Sequence, residues 1–196
     1  MSKLLKSLCL ILILLTVSGI LYYCAPEGRR VKTRRVPERV EGKLKGKVVE
    51  VADGDTITVM EGKGRRIKCR LYGIDAPEVP NADRPGQPYG IEAKEVLSDL
   101  IYGKTVQVET TGERTYDREV CHVHLKNEDI NLEMVKRGYA WAYRHYLSGA
   151  YASEYIDAER EAREKRRGLW KQSNPQPPWE FRQVNRYERS AHIRRS

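Results

Sequence analysis

From Lys43 onward, polar and apolar positions alternate, and the period of the alternation changes along the chain. Lys47–Val51 reads as a first strand and Asp55–Met60 as a second, with a period of two. Gly62-Lys63-Gly64 makes a hairpin turn into a third strand, Arg66–Leu71. A loop rich in Pro, Asn, Asp and Gly covers 79–88. Tyr89–Tyr102 shifts to helical spacing: Ile91, Val96, Leu97, Leu100 and Ile101 share one broad face, and Gly103 ends the run. Lys104–Thr110 and Glu119–Leu125 return to strand spacing. Asp129–Arg137 reads as a short helix closed by Gly138, and Ser153–Arg167 as a charged helix closed by Gly168. Trp141 and Trp170 read as core. Asn174–Pro178 reads as an extended connector, Trp179-Glu180-Phe181 as an apolar latch folded back on the body, and the rest as a mobile basic tail. The order predicts an α+β fold, and a five-stranded Greek-key barrel with about three helices fits the strand count.

The N-terminus carries a different pattern. Lys3 and Lys6 precede Leu8–Tyr23, which holds no charge and is rich in Leu and Ile. This is the pattern of an export signal or a short membrane anchor, so residues 1–28 are expected to be a leader and residues 4–23 a possible tether. Residues 29–39 hold six basic residues, which by charge bias favour the cytoplasmic side; export (secreted, periplasmic or membrane-anchored) is the reading adopted. Net charge is +9, but residues 40–181 carry 23 basic against 24 acidic residues. The excess therefore lies in the arms. The chain divides into the leader, a basic linker over 29–42, a folded domain over 43–173, and a connector and tail over 174–196. Basic arms suit a polyanionic partner, either nucleic acid or an anionic membrane surface, or simply solubility. Four cysteines with no Cys-x-x-Cys pair exclude a disulfide scaffold and argue against structural zinc. Cys69 and Cys121 are expected to be buried thiols, with pairing open in an exported protein.

Candidate chemistry concentrates in Arg70–Glu78, a strand that runs out into a proline turn with Arg70, Asp75 and Glu78. Upstream, Asp53-Gly54-Asp55-Thr56 opens the second strand. Alone it is ordinary turn composition, and it lacks the spacing of a helix-loop-helix calcium loop. Taken with Asp75, Asp55 offers hard oxygen ligands for Ca²⁺ or Mg²⁺ while leaving positions for substrate oxygens. Glu78 can hold a water as a general base. Arg70 and Arg118 can clamp a phosphodiester, or form plain salt bridges, Arg118 with Asp117 or Glu119. His122 and His124 share a strand face, but nothing supplies further metal ligands.

Asp-Gly-Asp-Thr, Arg-Leu-x-Gly-Ile-Asp-Ala-Pro-Glu, Tyr-x-Arg and a Gly-Leu-Trp helix end together resemble the thermonuclease (staphylococcal nuclease) family over residues 44–171. The resemblance implies an oligonucleotide-binding (OB-fold) barrel and Ca²⁺-dependent endonuclease hydrolysis of DNA and RNA. Cleavage would leave 3′-phosphate ends. It places Asp55, Asp75 and the carbonyl of Ala76 on the metal, and Arg70 and Arg118 on the scissile phosphate. Glu78 would act on the attacking water, and Tyr116 and Tyr143 would pack on nucleotides, with Tyr146 as a further candidate. No obligate protein partner is implied. Asp117 stands where the family often has Gly. The alternative is a weakly active or inactive barrel that only binds nucleic acid or protein; retention of Asp55, Arg70, Asp75, Glu78 and Arg118 argues against it.

Overall fold

A computed structural model describes residues 42–62, 64–82 and 85–193. The leader, and the linker as far as Glu41, lie outside the described residues. Five strands build the body: β1 (Lys43–Asp53), β2 (Thr56–Glu61), β3 (Arg66–Leu71), β5 (Thr105–Thr115) and β6 (Arg118–Leu125). Two-residue bridges β4 (Ile74–Asp75), β7 (Glu128–Asp129) and β8 (Trp141–Ala142) accompany them. The sheet order is β3-β2-β1-β5-β6-β7, and a parallel β3–β6 pairing closes it into a barrel. Closure leaves the five main strands no long open edge. Register shifts in β1 at Val48/Glu50 and Val51/Asp53 bend this strand. That bend lets β1 pair with β2 along one edge and β5 along the other.

The alternation read from the sequence is the barrel's inside and outside. Ile67, Cys69 and Leu71 of β3 point inward, as do Val106 and Val108 of β5. The strands run longer than expected at the start of β1 and the end of β5, where polar residues still pair in the ladder. Cys69 and Cys121 are free thiols buried in this core.

Helix α1 (Gly90–Ile101) buries Ala93, Leu97 and Ile101, four residues apart, against the barrel. Full burial of a side chain such as Leu97 stabilises by roughly 1.5–3 kcal/mol. Helix α2 (Ile130–Lys136) starts at Asp129, whose carboxylate accepts from the Leu132 N–H. Buried Asn131 donates to the carbonyls of Tyr72 and Cys121 and accepts from the Val123 N–H. It thereby ties the exit of β3 to β6. Helix α3 (Ala150–Glu164) and a 3₁₀ turn (Gly168–Lys171) complete the body.

One sequence expectation fails. The stretch assigned to a mobile tail forms a fourth helix, α4, over Pro178–Ile193. Pro178 begins it and Glu180 lies in its first turn, both favourable at a helix N-terminus. The latch is real: Trp179 stacks on Tyr143 (centroids 5.2 Å, 16°) and meets Trp141 edge-on at 5.6 Å. Trp141 and Trp170 are buried, with the Arg163 guanidinium over both rings.

Candidate active site

The site forms where β3 leaves the barrel. Arg70 pairs with Thr56 of β2 on one side and Val120 of β6 on the other, so its backbone is fixed twice. After the Tyr72-Gly73 turn, β4 pairs with β8, Asp75 opposite Trp141. This holds Asp75 fully buried (0% exposed) beside Asp55 (2%). Gly54 admits the second approach: a Cβ there would meet the Ala76 Cβ at 2.7 Å and the Ala93 Cβ at 2.8 Å. The β1–β2 turn can therefore press Asp55 onto the chain at Ala76.

A continuous polar chain results. Arg118 Nη1 donates to Thr56 Oγ1 (3.1 Å), and Thr56 Oγ1 donates to Asp55 Oδ1 (3.0 Å). Asp55 Oδ2 accepts from the Ala76 N–H at 2.8 Å. Arg70 bridges the two aspartates, with Nη1 on Asp55 Oδ1 and Nη2 on Asp75 Oδ1 at 2.6 Å. Glu78 lies further out, its main chain held by one residue: Gln87 Oε1 accepts from the Glu78 N–H (3.0 Å), and the Gln87 N–H donates to the Glu78 carbonyl (2.8 Å). Helix α1 starts against that same carbonyl. A Cβ on Gly90 would stand 2.2 Å from it, so glycine is required there.

Arg182 of α4, which the sequence reading missed, completes the cluster. Its Nη2 reaches Asp75 Oδ2 at 2.7 Å, and its Nη1 reaches Asp75 Oδ1 at 3.1 Å and Glu78 Oε1 at 2.7 Å. The available signal was modest: Pro178 as a helix start, with Trp179, Arg182 and Arg186 at helical spacing.

Arg70, Glu78, Arg118 and Arg182 line one cleft of about 670 Å³, together with Asp53, Thr115, Tyr116, Tyr143 and Tyr146, and the buried Asp55 and Asp75 meet it through the Arg70 guanidinium. Tyr116 stands 92% exposed at the rim, in the two-residue turn between β5 and β6. Tyr143 lies deeper, between Trp179 and Tyr146. Asp117 pairs on the surface with Lys68 at 3.3 Å, which pulls its carboxyl below the ordinary range, with Arg118 adding a smaller pull. Glu119 is taken by Arg114 at 3.1 Å. Neither acid forms the salt bridge with Arg118 that the sequence left open, and among the described residues Arg118 has no carboxylate partner. His122 packs between Tyr72 and Tyr151 at 4.4 and 4.7 Å, away from this cleft.

Among the described residues no three His, Cys, Asp or Glu side chains cluster as a metal cage. The donors that do converge, Asp55 and Asp75, are oxygens, which suit a hard cation. Burial pushes the Asp55 carboxyl up to about 7 against the opposing pull of Arg70, with Asp53 adding to the rise. The residues present fit a divalent ion with open positions.

Residues 68–172 match the family described as staphylococcal nuclease homologues. A Haemophilus influenzae protein named as an uncharacterized endonuclease is 40% identical over 136 residues, covering 69% of this chain and 71% of the relative. A micrococcal nuclease of Shigella flexneri is 37% identical over 152 residues, covering 73% and 83%. A staphylococcal-like nuclease of Arabidopsis thaliana is 32% identical over 161 residues, covering 81% of this chain and 47% of the relative.

Proposed function

As this chain belongs to the staphylococcal nuclease homologue family and is an endonuclease, we propose that it hydrolyses DNA and RNA with Ca²⁺ and leaves 3′-phosphate ends. The observation that carries this reading is the unbroken polar chain from Arg118 through Thr56, Asp55, Arg70, Asp75 and Arg182 to Glu78, of which Arg70, Arg118, Arg182 and Glu78 line one cleft. Asp55, Asp75 and the Ala76 carbonyl would hold Ca²⁺, which supplies Lewis-acid charge to the phosphate oxygens when bound.

The protein's own groups do the rest. Arg70 and Arg118 approach from two strands and grip the non-bridging oxygens of one phosphodiester. Negative charge that builds on phosphorus then meets fixed guanidinium forks. Glu78, clamped by Gln87, orients a water and accepts its proton as the water oxygen bonds to phosphorus. The P–O5′ bond breaks opposite, its electrons leave with O5′, and the phosphate stays on the 3′ side. Tyr116 and Tyr143 offer faces for neighbouring bases, a sequence-tolerant contact suited to a nuclease with little base readout. The apolar run over residues 4–23 supports export or tethering, which fractionation of the producing cells would test.

Digestion of single-stranded DNA and RNA by the chain lacking residues 1–28, with end-group analysis, tests the reading. Activity should need Ca²⁺, stop on chelation and leave 3′-phosphates. Intact substrate across a wide Ca²⁺ range would favour a binding-only barrel, and 5′-phosphate ends would refute the assigned bond.

A further inference from the structure

We propose that Arg182 is a third phosphate-binding arginine of the cleft, which rests on Asp75 and Glu78 until a divalent cation takes those acids. The inference rests on Asp75 being a cation ligand, as set out above.

Arg182 and a cation need the same electron pairs. Both oxygens of Asp75 are taken by guanidinium: Oδ1 by Arg70 at 2.6 Å and Arg182 at 3.1 Å, and Oδ2 by Arg182 at 2.7 Å. A hard cation entering at Asp75 must displace one of them. The two arginines differ in how they are held. Arg70 sits on a strand hydrogen-bonded on both sides and is 17% exposed. Arg182 sits on a helix that follows the Pro175–Pro178 connector and is 29% exposed. Arg182 is the one that yields.

Charge decides where it goes. Arg70 already bridges Asp55 and Asp75, and Arg182 bridges Asp75 and Glu78. A divalent ion adds two positive charges, and like charge then repels Arg182 from Asp75. The anion entering the cleft is the nucleic-acid backbone. Arg182, Asn185 and Arg186 share one face of α4, three and four residues apart, and all line the cleft with Arg118 and Tyr116. The released guanidinium therefore has phosphate within the same cavity. The helix forms a wall of the substrate cleft, and cation and substrate exchange places with one side chain.

Removing Arg182 should consequently have opposite effects on the two ligands. In Arg182→Gln, calorimetry with CaCl₂ and no nucleic acid should show about tenfold tighter Ca²⁺ binding, because the internal competitor is gone. At saturating Ca²⁺, KM for a single-stranded oligonucleotide should rise about tenfold with kcat little changed, the cost of one charged phosphate contact. Arg182→Lys should recover part of the KM, and thermal melts of both variants check the fold. If both affinities rise, the helix is only a plug. If both fall, or neither moves, the contact is structural. Either result overturns the proposal. Asp75→Asn separates the two readings. Loss of Ca²⁺ binding in Asp75→Asn alongside a same-sign response in Arg182→Gln rejects the exchange alone. Unchanged Ca²⁺ binding in Asp75→Asn rejects Asp75 as a ligand, and the exchange with it.

Discussion

Two walls face each other across the cleft, and they are built differently. The barrel wall presents Arg70 and Asp75 from strands whose main chains pair with neighbours, and Asp55 from the β1–β2 turn, where its carbonyl accepts from the Leu71 N–H. The α4 wall presents Arg182 from a helix tied down by the Trp179 stack on Tyr143 and by the arginine's own ion pairs. A side chain on the barrel wall is placed by the fold. A side chain on the α4 wall is placed by the charges it meets, and can leave when those charges are neutralised.

Arg70→Ala is the heaviest blow to the barrel wall. It removes the proposed phosphate contact and strips a cation from two buried carboxylates at once. Activity should fall by roughly 10²–10³, the scale of losing one preorganised charge-stabilising donor. Breaking a buried pair costs about 3–5 kcal/mol, read by denaturant unfolding in the absence of divalent ions. A fully stable Arg70→Ala protein would show that the two buried acids do not depend on Arg70, and the contrast between the walls would collapse.

Gly90→Ala tests the same wall without touching a charged group. The new Cβ would stand 2.2 Å from the Glu78 carbonyl, so either α1 or the Glu78 main chain must shift. We expect a loss of about 1–3 kcal/mol in stability. The kcat should drop about tenfold or more with a smaller change in KM, because the role proposed for Glu78 is on water rather than on substrate binding. An unchanged kcat would mean that Glu78 tolerates displacement, against the positioning role of Gln87 and Gly90.

Trp179→Ala addresses the other wall. The indole is partly buried against Trp141 and Tyr143, so its loss should cost about 1–3 kcal/mol, below the 3–5 kcal/mol of a fully buried Trp→Ala. Hydrogen exchange should quicken along α4 while the β3 and β6 amides keep their protection. Equal quickening in both would make α4 an integral part of the barrel's cooperative unit.

The same contrast explains what could be read from the sequence. The barrel announces itself because burial on one face forces alternation, as at Ile67, Cys69 and Leu71. Arg70, Asp75 and Glu78 could be grouped because nine residues span all three. Helix α4 gave little periodic signal: Trp179 and Phe181 are its main apolar anchors, Val184 is exposed, and the rest reads as a basic tail. Gln87 was equally hidden, since its two hydrogen bonds to Glu78 depend on how a proline-rich loop doubles back. Asp117 drew suspicion for its sequence neighbour Arg118, yet its electrostatic partner is Lys68, 49 positions away in the chain.

The smallest effect concerns a group outside both walls. His122 lies between Tyr72 and Tyr151, and its Nδ1 is buried without a hydrogen-bond partner among the described residues. Burial, helped by His124, holds its pKa below the ordinary histidine value, with Asp129 and Glu109 pulling the other way. The folded protein therefore prefers the neutral ring. Above the unfolded-state value of about 6.5 both states are neutral and the ring adds nothing to the pH dependence. As pH falls through that value the unfolded chain takes the proton first, and stability declines until the depressed folded value is passed. His122→Phe keeps an aromatic ring between the two tyrosines and removes the titration. Its melting temperature should fall less than that of the parent between pH 7 and pH 5, with cleavage rates at neutral pH unchanged. Equal acid sensitivity in the two proteins would assign the loss to the carboxylates of the cleft, and so return the pH dependence to the barrel wall.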